Sequence, residues 1–166
     1  MGVDVLCQAV SGMGKTAVFV LSVLHCLGEN PEPCTALVLA HARELAYQIK
    51  GEFTRLSKFI PNIRTEVILG GESLEKQKKM LKGPNMPHIV VGTPGRILHL
   101  AKDKSLNLDN LKMFILDECD KVLENVGKYT ANFEYMALNP NVIDYVIKTC
   151  AATSSRFSRK HPMENK

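Results

Sequence analysis

The sequence predicts an α/β domain, a mostly parallel sheet with helices on both faces. Three observations predict it. Short apolar runs alternate with longer helical patterns along the chain, the rhythm of strand–helix–strand crossovers. Several of the short runs are nearly continuous in Val, Ile and Leu, as in strands covered on both faces. The 166 residues are 45% hydrophobic, which suits one domain with a sizeable core.

In chain order, an apolar strand over 3–8 opens the sequence, and a helix over 15–27 follows across a glycine-bearing loop. Gly and Pro punctuate 28–33 as a loop, before a second strand at 35–40 and a long helix at 43–59. A third strand at 65–69 leads to a helix at 74–82. Residues 83–87 form a second Gly/Pro loop, after which a strand at 88–91 and a helix at 95–102 follow. A strand at 113–116 runs into a short helix at 119–124, and a last strand spans 145–150. Residues 127–138 fit neither period. No internal repeat, linker or low-complexity tract interrupts the pattern.

Charged residues make up 23%, near the average of soluble folds, and 21 Lys+Arg against 17 Asp+Glu leave a net charge of +4. That excess permits a polyanionic partner without requiring one. No apolar run approaches the roughly 18 residues of a membrane span, and no signal-peptide pattern opens the chain. The expectation is a protein with no membrane association that is not secreted. Cys7, Cys26, Cys34, Cys119 and Cys150 are odd in number and widely scattered. They lack the spacing of zinc ligands or of a redox pair, so buried free thiols in a reducing compartment are expected. The five histidines are equally scattered, and no metal site made by protein side chains alone is expected.

In a parallel α/β sheet, ligands sit beyond the carboxyl ends of the strands, so chemistry is sought where strands hand over to loops. The first handover reads Ala9-Val10-Ser11-Gly12-Met13-Gly14-Lys15-Thr16. Gly12 and Gly14 let the backbone fold tightly, so that successive amides point at a phosphate. The helix start adds the positive end of its dipole. Lys15 reaches β- and γ-phosphates, and Thr16 offers its hydroxyl to Mg²⁺. Ala9 stands where the general pattern has its first glycine. The plainer reading is a glycine-rich turn with a solvated lysine. The second handover is Phe114-Ile115-Leu116-Asp117-Glu118-Cys119-Asp120. Three acids within four residues repel one another and are a poor choice for structure alone. Beside a phosphate-bound Mg²⁺ they make sense: Asp117 holds the metal through water and Glu118 polarises the attacking water. The plainer reading is an acidic helix N-terminus.

These residues, with others downstream, resemble the DEAD-box RNA helicases. The form Asp117-Glu118-Cys119-Asp120, with Ser11-Gly12-Met13-Gly14-Lys15-Thr16, is similar to the nuclear helicases of mRNA splicing and export, the DECD subgroup. The resemblance runs from Gly2 to about Val126. It implies a RecA-like P-loop lobe that binds ATP with Mg²⁺ and hydrolyses it under RNA stimulation, coupled to strand separation. Lys15, Asp117 and Glu118 are then the catalytic candidates, with Thr16 and Asp117 at the metal. Ala9, Ser11, Gly12, Met13, Gly14, Lys15, Thr16 and Asp120 are the nucleotide-binding candidates.

RNA is the implied partner, gripped along its phosphate backbone and so without sequence preference. Three segments have counterparts of the family's RNA contacts, each just after a strand. They are Ala42-Arg43-Glu44-Leu45-Ala46, Gly70-Gly71 and Thr93-Pro94-Gly95-Arg96. Arg43, Gly70, Gly71, Thr93, Pro94, Gly95 and Arg96 are the RNA-binding candidates. As structure alone, Thr93 before a proline reads equally as an ordinary helix N-cap. The resemblance also implies splicing and export proteins as partners, and a nuclear location with the cytoplasm as alternative.

Departures from the family's pattern set further expectations. The segment that reads adenine ahead of the first strand has no counterpart, and neither has the second lobe with its arginine finger. Ala151-Ala152-Thr153 stands where the family's Ser-Ala-Thr motif couples hydrolysis to unwinding. Residues 156–166 resemble a shortened exit from the lobe, leaving some sheet edge uncovered. The expectation is a single ATP-binding domain over 1–166, shortened at its N-terminus and degenerate from about 127 onward. For the isolated chain it is weak nucleotide binding, little hydrolysis and no unwinding. The alternative function is a catalytically impaired RNA- or partner-binding fragment that acts as a decoy.

Overall fold

The structure is a computed structural model that describes residues 5–10, 12–28, 30–119, 121–122 and 146–151, the last of these by backbone alone. Six strands form one sheet in the order β1-β6-β5-β2-β4-β3, and every neighbouring pair is parallel. They are β1 (Val5–Ala9), β2 (Ala36–Leu39), β3 (Thr65–Ile68), β4 (Ile89–Gly92), β5 (Met113–Asp117) and β6 (Val146–Ala151). Among the described residues, the helices between them are α1 (Lys15–Leu27), α2 (Arg43–Leu56), α3 (Leu74–Met80) and α4 (Pro94–Lys102). All strand carboxyl ends therefore lie along one edge of the sheet.

The alternation of the strands divides the core in two. Ala36, Val38, Ile89, Val91, Met113 and Ile115 face α1 and α2, which supply Phe19, Val23, Ile49 and Phe53. Leu37, Leu39, Ile68, Val90, Phe114 and Leu116 face the other way, toward Leu81, Ile97 and Leu100. β2, β4 and β5 are buried at every position, which is why they read as unbroken apolar runs. Phe19 and Phe53 bring α1 and α2 together, with ring centroids 6.4 Å apart and tilted.

Local chemistry sets the helix ends. α1 starts on Gly14, left-handed at φ 80°, and stops on Gly28, whose φ of 71° also suits glycine. Ser73 caps α3 by accepting from the Lys76 amide at 3.4 Å, and basic Lys78 and Lys79 sit in its last turn. The expected helix at 43–59 ends instead at Leu56. Ser57 closes it by donating to the Phe53 carbonyl, and the chain turns before Pro61. Phe59, counted as a helical apolar position, is 89% exposed. The helix expected to 82 ends at Met80 ahead of Gly83, and α4 begins at Pro94, one residue early, because proline is pre-shaped for a first turn. The first expected strand starts at Val5 and runs to Ala9, and the last is shifted by one residue at each end. Cys119, Lys121 and Val122 are helical. The remainder of the expected helix at 119–124, the unassigned 127–138, Ala152, Thr153 and the 156–166 exit lie outside the described residues.

Candidate functional site

Two groups of side chains gather at the carboxyl edge. The first surrounds the β1–α1 loop. Gly12 and Gly14 both take positive φ, 83° and 80°, a conformation strained for any residue with a Cβ. The loop curls so that the Met13 amide donates to the Val10 carbonyl at 3.3 Å. Lys15 folds back over this turn, its Nζ donating to the carbonyls of Ala9 at 2.7 Å and Val10 at 3.0 Å. The first turn of α1 has no side-chain cap and no acidic residue, so its amides and dipole end are left for an anion. Met13 is 71% exposed beside the loop. Ser11 lies outside the described residues.

The acids arrive from β5. Asp117 ends the strand, buried at 7% exposure. Gly14, Thr16 and Asp117 line one open cleft of about 540 Å³, whose opposite wall is α2 from Leu45 to Glu52. β6 separates β1 from β5 in the sheet, so the loop and the acid stand about 10 Å apart across it. Glu118 takes a left-handed φ of 50°, which turns the chain sharply at the strand end. Its carboxylate accepts from Lys121 Nζ at 2.9 Å and lies 3.1 Å from His41 Nδ1 without hydrogen-bond geometry. Asp120 lies outside the described residues.

The second group spans the ends of β2, β3 and β4. Arg43, first in α2, packs its guanidinium against Gly71, where a Cβ would meet Nη1 at 3.0 Å. Gly71 itself has φ 81°, a conformation strained for any residue with a Cβ. Thr93 makes no cap bond to α4; its hydroxyl accepts from the Gly70 amide at 3.4 Å. The N-cap reading of its side chain is thereby corrected: the hydroxyl ties the β4 end to the β3 end. Pro94 opens α4 and Gly95 is exposed in its first turn. Arg96 donates to Gln77 Oε1 at 2.8 Å and to the Glu72 carbonyl at 3.1 Å, which uses two of its five N–H donors.

Three residues of this group escaped the sequence reading. Gln77, 1% exposed, donates to the Leu69 carbonyl and to Glu72 Oε2, both at 3.0 Å. Tyr47 donates to Glu72 Oε1 at 2.7 Å from the outer face of α2. The Tyr47 and Gln77 hydrogen bonds, with Arg43 and Arg96 nearby, hold the Glu72 carboxyl below its usual range, while Glu72 pushes the Tyr47 phenol up. His41, beside Glu118, is the fourth unread residue. No periodicity marks such groups, because the topology alone brings them together.

The cysteines depart from expectation. Cys7, Cys26 and Cys34 are free thiols, and only Cys34 is buried, with its thiol pushed up to about 12 by burial. Cys119 is not free; it is disulfide-bonded.

A parallel sheet with helices on both faces, a glycine-held loop after its first strand and an aspartate across the cleft define a RecA-like α/β domain. The sequence matches the DEAD/DEAH box helicase family over residues 1–158, and the chain belongs to that family. It is 54% identical over 129 residues to the ATP-dependent RNA helicase sub2 of Aspergillus fumigatus, covering 77% of this chain and 29% of that protein. It is 49% identical over 159 residues to DEAD-box ATP-dependent RNA helicase 15 of Arabidopsis thaliana, covering 96% of this chain and 36% of the relative. The chain thus spans about a third of the length of these relatives. The fold is similar to the crystal structure of a hypothetical ATP-dependent RNA helicase from Sulfolobus tokodaii. That match has TM-score 0.75 and 22% identity, and covers 90% of this chain and 41% of that one.

Proposed function

We propose that the chain, over 1–166, is the ATP-binding lobe of an ATP-dependent RNA helicase of nuclear mRNA splicing and export. The observation that carries the reading is the shared cleft of Gly14, Thr16 and Asp117. Amides of the α1 start cradle the phosphates of ATP. Lys15 exchanges its two carbonyl partners for phosphate oxygens.

The residues present fit Mg²⁺. Thr16 and Asp117 offer hard oxygen donors on one cleft, and among the described residues no cluster of three His, Cys, Asp or Glu could hold a metal unaided. Mg²⁺ of this kind is held by one or two protein oxygens plus substrate phosphates. When bound, it neutralises charge developing on the transferred phosphoryl oxygens. Glu118 orients the attacking water and accepts its proton at the carboxylate, which Lys121 keeps in place. Asp120, Ala9, Ser11, Gly12 and Met13 complete the nucleotide site.

RNA lies over the second group, where Arg43, Gly70, Gly71, Thr93, Pro94, Gly95 and Arg96 meet its backbone phosphates. Glu72 partly offsets the two arginines, which weakens non-specific anion capture and leaves the remaining N–H groups of Arg96 for phosphate. Splicing and export proteins are the further partners.

The test is phosphate release from ATP with and without single-stranded RNA, beside Lys15→Ala and Glu118→Gln. RNA-stimulated turnover that disappears in both variants supports the reading. RNA retention without any turnover in the unmodified chain overturns the enzyme reading in favour of a binding module.

A further inference from the structure

His41 follows β2, between the strand end and Arg43 at the start of α2. Its Nδ1 is the one buried side-chain nitrogen or oxygen among the described residues that has no hydrogen-bond partner. A polar atom shut away from water without a partner is costly, so its surroundings need explaining. What faces it is Glu118, whose Oε2 lies 3.1 Å from Nδ1. At that distance a bare ring nitrogen and a carboxylate oxygen would repel, so the ring proton belongs on Nδ1. The distance suits a hydrogen bond and only the direction does not. Rotation of the ring about χ2, a soft torsion in histidine, supplies the direction.

The neighbours of Glu118 show what that bond would do. Lys121 Nζ donates to the same Oε2 at 2.9 Å, so both groups converge on one oxygen and Oε1 is left for the water. The Lys121 side chain is 51% exposed, whereas that of His41 is 18% exposed. An exposed lysine holds a carboxylate loosely, because the pair is screened and the long side chain keeps its freedom. A shielded ring with two torsions holds it more firmly. Glu118 itself sits at φ 50°, a backbone state that persists only where the surroundings fix it.

We propose that His41 is a positioning residue for Glu118. Its Nδ1–H donates to Oε2 and turns Oε1 toward the water that attacks the terminal phosphate. This rests on the proposed function, in which Glu118 takes the proton of that water. The bond needs only a neutral ring.

The whole chain is prepared with isotope-labelled histidine, and long-range proton–nitrogen NMR at neutral pH reads which ring nitrogen carries the proton. His41→Asn removes the His41 signals and so assigns them. The proton should sit on Nδ1 in the unmodified chain and move to Nε2, the tautomer that free imidazole favours, in Glu118→Ala. ATP affinity and single-turnover phosphate release with single-stranded RNA are then measured for the unmodified chain, His41→Leu and His41→Asn. Leu fills the space without a donor, and the Asn amide falls close to where Nδ1 stands. His41→Leu should keep ATP affinity within about twofold and release phosphate about 10- to 100-fold more slowly, and His41→Asn should regain most of that loss. A proton on Nε2 in the unmodified chain, an unchanged tautomer in Glu118→Ala, an unchanged rate in His41→Leu, or equal loss in the two folded variants would each overturn the proposal. A chain without turnover fails the enzyme reading instead, and the tautomer then supports or overturns the His41–Glu118 bond by itself. The spectrum of the unmodified chain carries the test even if a variant does not fold.

Discussion

Replacing Gln77 by Ala removes a side chain that the fold has closed over, at 1% exposure, and with it three hydrogen bonds. The bond to the Leu69 carbonyl is neutral and worth about 1 kcal/mol net. Those to the Glu72 carboxylate and from Arg96 involve charges, worth about 1.5–3 kcal/mol each before Glu72 and Arg96 recover part of it by turning to water. The expected loss is about 2–4 kcal/mol, and in a domain of this size each kcal/mol moves Tm by about 2–4 °C. Thermal unfolding followed by circular dichroism should therefore show Gln77→Ala melting about 5–15 °C lower. Gln77→Met refills the volume without the bonds and should recover only a minor part. Filter binding of single-stranded RNA should fall in both variants, because Arg96 loses the partner that aims it. A shift under about 2 °C in Gln77→Ala, or full recovery in Gln77→Met, would refute the view that the amide network organises this face.

Other expectations test different parts of the structure. A Cβ at Gly92 would come within 2.6 Å of two Ile97 side-chain atoms and 2.7 Å of the Ile68 carbonyl, so Gly92→Ala cannot be absorbed by a rotamer change. It should cost about 3 kcal/mol in guanidinium unfolding, and an unchanged midpoint would contradict the packing. His88 is held below the ordinary histidine range by burial and then by Arg64, whose amide donates to its Nδ1 at 3.1 Å. The unfolded chain therefore binds that proton more readily. Stability is complete above about pH 6.5 and declines as pH falls from there toward the folded value. Urea unfolding at pH 7.5 and 5.5 should show the decline, reduced in His88→Gln; an equal decline in that variant assigns it elsewhere. Glu118→Gln should keep ATP binding and lose phosphate release, and loss of both together would place Glu118 in binding instead of the proton step.

Much of the fold could be read from the chain because buried parallel strands leave their mark residue by residue. β2 and β4 are apolar at each position and β5 is so until Asp117, and Gly14 and Gly28 bracket α1 where the sequence places it. The ends of α2 and α3 were harder, since a turn at Ser57 and a cap at Leu81 compete with a periodic pattern that continues past them. At the site, residues adjacent in sequence announce themselves, as do the glycines of the β1–α1 loop and the acids of β5. Residues that meet only through topology do not. Tyr47 and Glu72 are 25 positions apart, and Arg96 and Gln77 are 19 apart. Nothing in the local pattern of Thr93 says that its hydroxyl turns to Gly70 and away from its own helix.

The central claim is that the β1–α1 loop and Asp117 grip one nucleotide across a common cleft. Its most direct measurement is calorimetric titration of ATP into the chain and into Lys15→Ala, each with Mg²⁺ and with a chelator. Removing the lysine forfeits a charge-assisted contact of about 1.5–3 kcal/mol, so affinity should drop about 10- to 150-fold. The chelator should weaken binding to the unmodified chain as well. Equal affinity in the two proteins, indifferent to Mg²⁺, would contradict it.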